Sequence, residues 1–189
     1  VLKNDTVSPK MAQAESEVVK SFDWRNRHGI NWMTPVKDQG QSCYCSAFAA
    51  VSCVEALSNL YYNKKLDLDL SEQEAACCNE YVQSRDPYTG GMSIDAPLDY
   101  FRDHGVCDEE AYPFVDADSA HNCRSDEVTP NYTVRIKGYH QINSKAEDII
   151  KKAIIAQGPL VSGFYFGYTW NGKKYVGNSH AMVLTGWRF

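Results

Sequence analysis

Between Ser42 and Tyr62 apolar residues recur three to four apart, through Phe48, Val51, Val54, Leu57 and Tyr61, with Gly40 as a turn ahead of them. This period predicts a long helix over 42–62. Ser71-Glu72-Gln73-Glu74 has the form of a capping box, with Ser71 as N-cap and Glu74 reaching back to it, so a short helix is predicted to start there. Ile94, Pro97, Leu98 and Phe101, followed by Gly105, predict a third helix over 93–104. After Asn131 the pattern changes. Residues 132–139 alternate at period two and predict a half-buried strand. Residues 146–156 predict an amphipathic helix ending near Gly158-Pro159, and 160–168, 174–176 and 181–187 read as further strands. Helices first and strands second make the expected class α+β.

Composition narrows the function. The 189 residues suffice for one bilobed domain or two small lobes around a cleft. A formal net charge of −5, with basic residues scattered, argues against nucleic acid as a main partner. No apolar run approaches a membrane span. Seven cysteines are an odd and high count, which three disulfides and one reactive thiol would explain in an oxidising compartment. A reduced protein with buried thiols is the plainer alternative. The spacings Cys43/Cys45 and Cys77/Cys78 do not form paired C-x-x-C knuckles, so no zinc or other metal site is expected. Asn4-Asp5-Thr6 and Asn131-Tyr132-Thr133 are N-glycosylation sequons compatible with secretion. The polar, aperiodic residues 1–21 read as a remnant of a pro-segment or an arm on the surface.

The candidate chemistry is concentrated in two places. Thr34 to Leu57 puts Gln39 and a turn ahead of Cys45 at the start of the predicted long helix, and His180 precedes an apolar run far downstream. A thiol, an imidazole and an amide donor are the parts of cysteine-nucleophile acyl transfer. A helix N-terminus and a nearby imidazolium both favour the thiolate form that attacks a carbonyl. The other histidines, His28, His104, His121 and His140, lack such a context and are expected on the surface or in structural roles.

With these residues the sequence resembles the papain-like cysteine proteases from Phe22 nearly to its end. Asp23-Trp24-Arg25 and Thr34-Pro35-Val36-Lys37-Asp38-Gln39-Gly40 are similar to the opening of a mature enzyme. Ser71-Glu72-Gln73-Glu74 with Cys78, then Gly90-Gly91, resemble the S-E-Q-E-L-x-x-C and C-x-G-G segments. Ala111-Tyr112-Pro113-Phe114, Gly158-Pro159-Leu160-Val161 and His180-Ala181-Met182-Val183 resemble three further family segments, in the family's order.

The resemblance implies a two-lobed fold: an extension over 1–21, a helical lobe over 22–130 with the nucleophile, and a strand-rich lobe over 131–189 with the histidine. It implies Cys45 as nucleophile, His180 as acid and base, and Gln39 as an oxyanion donor beside the Cys45 backbone N–H. Gly90, Gly91, Met92 and Ser179 are implied to bind substrate, and Cys78 and Cys123 to form a disulfide. No cofactor is implied. The expected activity is peptide-bond hydrolysis by a cysteine-type endopeptidase made as a zymogen, secreted or in an acidic lysosome-like compartment. Its expected partners are a peptide or protein substrate and either a pro-segment or the missing C-terminal chain.

The sequence also departs from the family. The papain signature C-G-[SA]-C-[WY] is replaced by Ser42-Cys43-Tyr44-Cys45-Ser46, and the cysteine of C-x-G-G by Tyr88. Both halves of one family disulfide are thus absent, while Cys43, Cys53, Cys77 and Cys107 leave two other bridges open in three pairings. The orienting asparagine of N-S-W-G is expected sixteen or more residues after the histidine, whereas only nine residues follow His180. Two readings remain: part of an enzyme whose remainder is elsewhere, or a catalytically retired homologue with a binding or structural role.

Overall fold

Small and branched apolar residues make the longest helix, α1 (Cys45–Tyr62), the centre of the molecule: Ala47, Ala50, Val51 and Ala56 are wholly buried. Alanine is the strongest helix former and lets neighbouring elements approach closely. The computed structural model describes residues 19–80, 92–115, 123–143, 145–170 and 175–188, with backbone alone at 166–170 and 175–178. The helix starts three residues later than its period suggests. Ser42 turns both its N–H and its hydroxyl back to the Gln39 carbonyl, at 3.2 and 2.8 Å, closing a turn instead. At the other end Asn63 takes the left-handed conformation (φ 47°) and its N–H bonds the Leu60 carbonyl at 3.1 Å.

Helix α2 (Glu72–Cys77) is capped by Ser71, whose hydroxyl accepts the Glu74 N–H at 2.9 Å. The expected return arm of the capping box does not form. Glu74 instead accepts the Tyr100 hydroxyl at 3.2 Å and the Cys107 N–H at 2.6 Å. These bonds tie α2 to α3 (Asp95–Asp103) and to β2 (Val106–Cys107). Buried long-range donors claim the carboxylate, because leaving them unpaired would cost more than forgoing a local cap. Around them lies one core that includes Tyr44, Val54, Leu70, Phe101, Val106 and Tyr112.

The strand expected over 132–139 shrinks to β3 (Thr133–Val134), which pairs antiparallel with the two residues of β2. Beyond it the chain follows the end of α3. Ile136 donates to the Phe101 carbonyl, and the Arg135 guanidinium donates to the Arg102 and Asp103 carbonyls at 2.7 and 2.6 Å. Helix α4 (Glu147–Gln157) ends at Gly158, where φ is 105° and a Cβ would sit 2.5 Å from Leu57 of α1. Glycine therefore lets this turn press on the central helix.

Two long strands follow, β4 (Leu160–Trp170) and β5 (Tyr175–Leu184), antiparallel from Leu160↔Leu184 to Trp170↔Tyr175 with an irregularity between Tyr165 and Gly167. The segments expected at 174–176 and 181–187 are thus not separate strands. β5 runs unbroken from the first into the second, and β6 (Gly186–Arg188) begins after Thr185. β6 pairs with β1 (Ser21–Asp23), placing Ser21 opposite Arg188. Phe22 stacks on Trp187 with ring centroids 5.4 Å apart, and the Trp24 indole donates to the Ile154 carbonyl at 2.9 Å. The Asp23-Trp24-Arg25 segment is thereby fixed to the second half of the chain. The expected extension lies, apart from residues 19–21, outside the described residues.

Cys78 and Cys123 form a disulfide. The two further bridges expected from the cysteine count are not present, since Cys43, Cys53, Cys77 and Cys107 are all thiols. Several have other roles. The Cys53 thiol, pushed up to about 12 by burial, donates to the Pro159 carbonyl between α1 and β4 at 3.1 Å. Gln73 donates to the Cys77 sulfur at 3.0 Å. Among the described residues no helix is long and apolar enough to cross a membrane.

Candidate active site

Cys45 is the first residue of α1, and the N–H groups of a helix's first turn have no intrahelical acceptor. Its thiol is half-buried. His180 sits within β5, opposite Phe164 of β4, and is also half-buried. Cys45, His180 and Gln39 line one cavity of about 510 Å³. Cys45 and His180, 135 positions apart in sequence, thus border one cavity through the packing of α1 against the β4–β5 ribbon.

The Gln39 side-chain amide donates to the Ser42 carbonyl at 2.5 Å. That bond closes the same turn that delays the helix, and it fixes the amide close to the helix start. A primary amide has two hydrogens, so one donor remains beyond this bond. Of the other expected site residues, Met92 and Ser179 do not line the cavity. Ser179 is exposed, opposite Tyr165. Gly90, Gly91 and Tyr88 lie outside the described residues.

The Gln39 segment is held by a cluster to which the sequence reading gave no role. Lys37, two residues earlier, reaches the Leu70 carbonyl at 3.0 Å and the carboxylates of Asp69, Glu72 and Glu55 at 2.6, 2.9 and 3.7 Å. Glu55 lies wholly buried on α1, where it accepts the Thr34 hydroxyl at 2.5 Å and the Leu70 N–H at 2.7 Å. Burial alone would lower the Lys37 ammonium, but attraction to Glu72 and Glu55 outweighs it and sets the group above its ordinary value. Burial pushes the Glu72 carboxyl up to about 8 against the pull of Lys37. A glutamate inside the apolar stretch Val51 to Leu57 was the available signal for this cluster. A second cavity of about 390 Å³ also borders Lys37, and is lined by Lys65, Asp67, Asp69 and Glu109 among others, without a thiol or imidazole.

Such an arrangement sets a thiol, an imidazole and an amide donor around a space that a small part of a substrate can enter, which suits acyl transfer.

Comparison with known proteins gives the same direction. The model of the papain family cysteine proteases matches residues 18–187. Senescence-specific cysteine protease SAG39 of Oryza sativa subsp. indica is 31% identical over 175 residues, 88% of this chain and 48% of its own length. Mouse (Mus musculus) procathepsin L is 32% identical over 145 residues, covering 76% of this chain and 40% of that one. This chain therefore spans about half, or less, of these relatives. Among solved structures, the Carica candamarcensis cysteine protease CMS1MS2, in complex with E-64, superposes with a TM-score of 0.69 at 22% identity, covering 90% of this chain and 78% of that one. The proform of the ragweed allergen Amb a 11, a cysteine protease, gives 0.67 at 24%, over 91% and 52% of the two chains. On the family match and the shared fold, this chain belongs to the papain family of cysteine proteases.

Proposed function

We propose that this chain carries the catalytic parts of a papain-type cysteine endopeptidase, with Cys45 as nucleophile, His180 as acid and base, and Gln39 as oxyanion donor. The observation that supports it is the shared cavity lined by these three residues. The Cys45 thiol passes its proton to His180, and the thiolate attacks a peptide carbonyl carbon, whose oxygen takes up the negative charge. The Gln39 amide and the Cys45 N–H donate to that oxygen. His180 protonates the departing amine, leaving a thioester, then accepts a proton from the water that hydrolyses it. Residues 22–130 and 131–189 act as two lobes around this cleft, and Gly90, Gly91, Met92 and Ser179 bind the substrate. His180 is carried by β5, opposite Phe164 of β4, which sets where its imidazole enters the cleft.

The protein works in a secreted or acidic vesicular setting and is made with a pro-segment, as the names of its procathepsin relatives suggest. The test is intact-mass analysis after treatment with a peptidyl epoxysuccinate. One adduct mapped to Cys45, together with loss of peptide hydrolysis in Cys45→Ala by on the order of 10⁴-fold or more, is expected. Folded protein with a reduced Cys45 and no adduct would overturn the reading in favour of a retired homologue that binds without cutting.

A further inference from the structure

The residue after the proposed nucleophile has an unusual attachment. Ser46 is 3% exposed, and its hydroxyl donates to the Met92 carbonyl at 2.9 Å. A serine in a helix ordinarily bonds within its own helix or turns to water. Here it crosses 46 positions of sequence to hold the backbone of a residue that the proposed function assigns to substrate binding.

Two residues on, the same segment is fixed again. A Cβ on Gly163 would lie 2.8 Å from the Ile94 Cδ1, so Ile94 packs on the bare backbone of β4 at that point. Gly163 pairs with Ala181, and the next residue, Phe164, pairs with His180. Residues 92–94 therefore form a strap. One end is tied beside Cys45 and the other rests on the strand pair that carries His180.

We propose that Ser46 is a positioning residue for peptide binding: its hydroxyl sets the backbone of Met92, and so the place where an extended peptide lies relative to Cys45. This rests on the assignment of Cys45 as nucleophile and Met92 as a substrate-binding residue. A strap held at both ends keeps the peptide in register with thiol and imidazole together, and positioning of that kind acts on the reaction without touching the reacting atoms.

The experiment compares two second-order labelling rates at Cys45 in the full chain. A peptidyl epoxysuccinate forms its C–S bond as the epoxide C–O bond opens and the alkoxide is protonated; iodoacetamide forms its C–S bond by expelling iodide. Only the first reagent uses peptide binding. In Ser46→Ala the ratio of the epoxide rate to the iodoacetamide rate should fall about five- to ten-fold, the size of one lost hydrogen bond. Ser46→Thr, which keeps the hydroxyl, should restore the ratio to within about two-fold. An unmoved ratio, two rates that fall together, or a Thr variant that behaves as Ala would overturn the proposal. If circular dichroism shows Ser46→Ala unfolded, Gly163→Ala, which presses on Ile94 from the other end, should lower the same ratio, and no change there overturns the proposal. Absence of labelling by either reagent in the unsubstituted chain would overturn the nucleophile assignment itself, and the role of Ser46 with it.

Discussion

The Lys37 ammonium lies 2.9 Å from the Glu72 carboxylate, joining the segment that carries Gln39 to the first turn of α2. Neither group has a part in the proposed chemistry. Their importance is that one cation is shared by Glu72, Glu55 and Asp69, with Glu109 adding further negative charge.

That imbalance gives stability a pH dependence. The Glu72 carboxyl, raised by burial to about 8 from an ordinary 4.5, holds a proton in the folded chain that the unfolded chain releases at lower pH. A proton on Glu72 also gives a donor to Glu109 Oε2, a buried atom otherwise without a hydrogen-bond partner. Between about 4.5 and 8 the folded state binds more protons than the unfolded one, so this contribution is full below that window and lost across it. The melting temperature should decline from pH 5 to pH 8, and Glu72→Gln should flatten the decline. Parallel profiles for the two proteins would show that Glu72 does not hold this proton.

Gln39→Ala should lower kcat by about 10²- to 10³-fold with little change in KM, since an oxyanion donor acts in the transition state. Steady-state kinetics on a fluorogenic peptide decide this, with iodoacetamide labelling of Cys45 as the check that the site remains formed. A raised KM at constant kcat would make Gln39 a ground-state contact instead.

A non-reducing peptide map should return one linked pair, Cys78 with Cys123, and alkylation of the other five cysteines. The bridge spans a sequence separation of 45. Closing a loop of that length restricts the unfolded chain enough to stabilise the fold by roughly 4 kcal/mol. Denaturant unfolding of the Cys78→Ser/Cys123→Ser double variant should show a loss of that order. Any link among Cys43, Cys53, Cys77 and Cys107 in the map would contradict the thiol state found here.

Where local periodicity decides structure, the sequence was a good guide: α1, α4 and β4 lie within three residues of their expected bounds. It misled where a distant partner outbid a local one. Glu74 belongs to a capping box by its spacing, yet Tyr100 and Cys107 take its carboxylate. Residues 177–180 fall between the two strands expected from the sequence, yet pairing with β4 holds them extended and sets His180 inside a strand. Cysteine parity suggested bridges because counting thiols says nothing of their separation or burial. The link from Ser46 to Met92 had no sequence signal beyond a serine where the family resemblance implies an aromatic. The thiol, imidazole and amide were legible as motifs, but their shared cavity depends on how α1 packs against the β4–β5 ribbon.

The pairing of β1 with β6 also fixes an order of events during synthesis. Asp23 leaves the ribosome 163 residues before its partner Gly186, so β1 emerges long before it can be closed. The helices and the Cys78–Cys123 loop depend on nearer neighbours and can form earlier, whereas a contact of such high sequence separation bears the full loop-closure cost and forms late. Until that closure Phe22, which is buried in the finished fold, stays uncovered and open to misassociation and to chaperones.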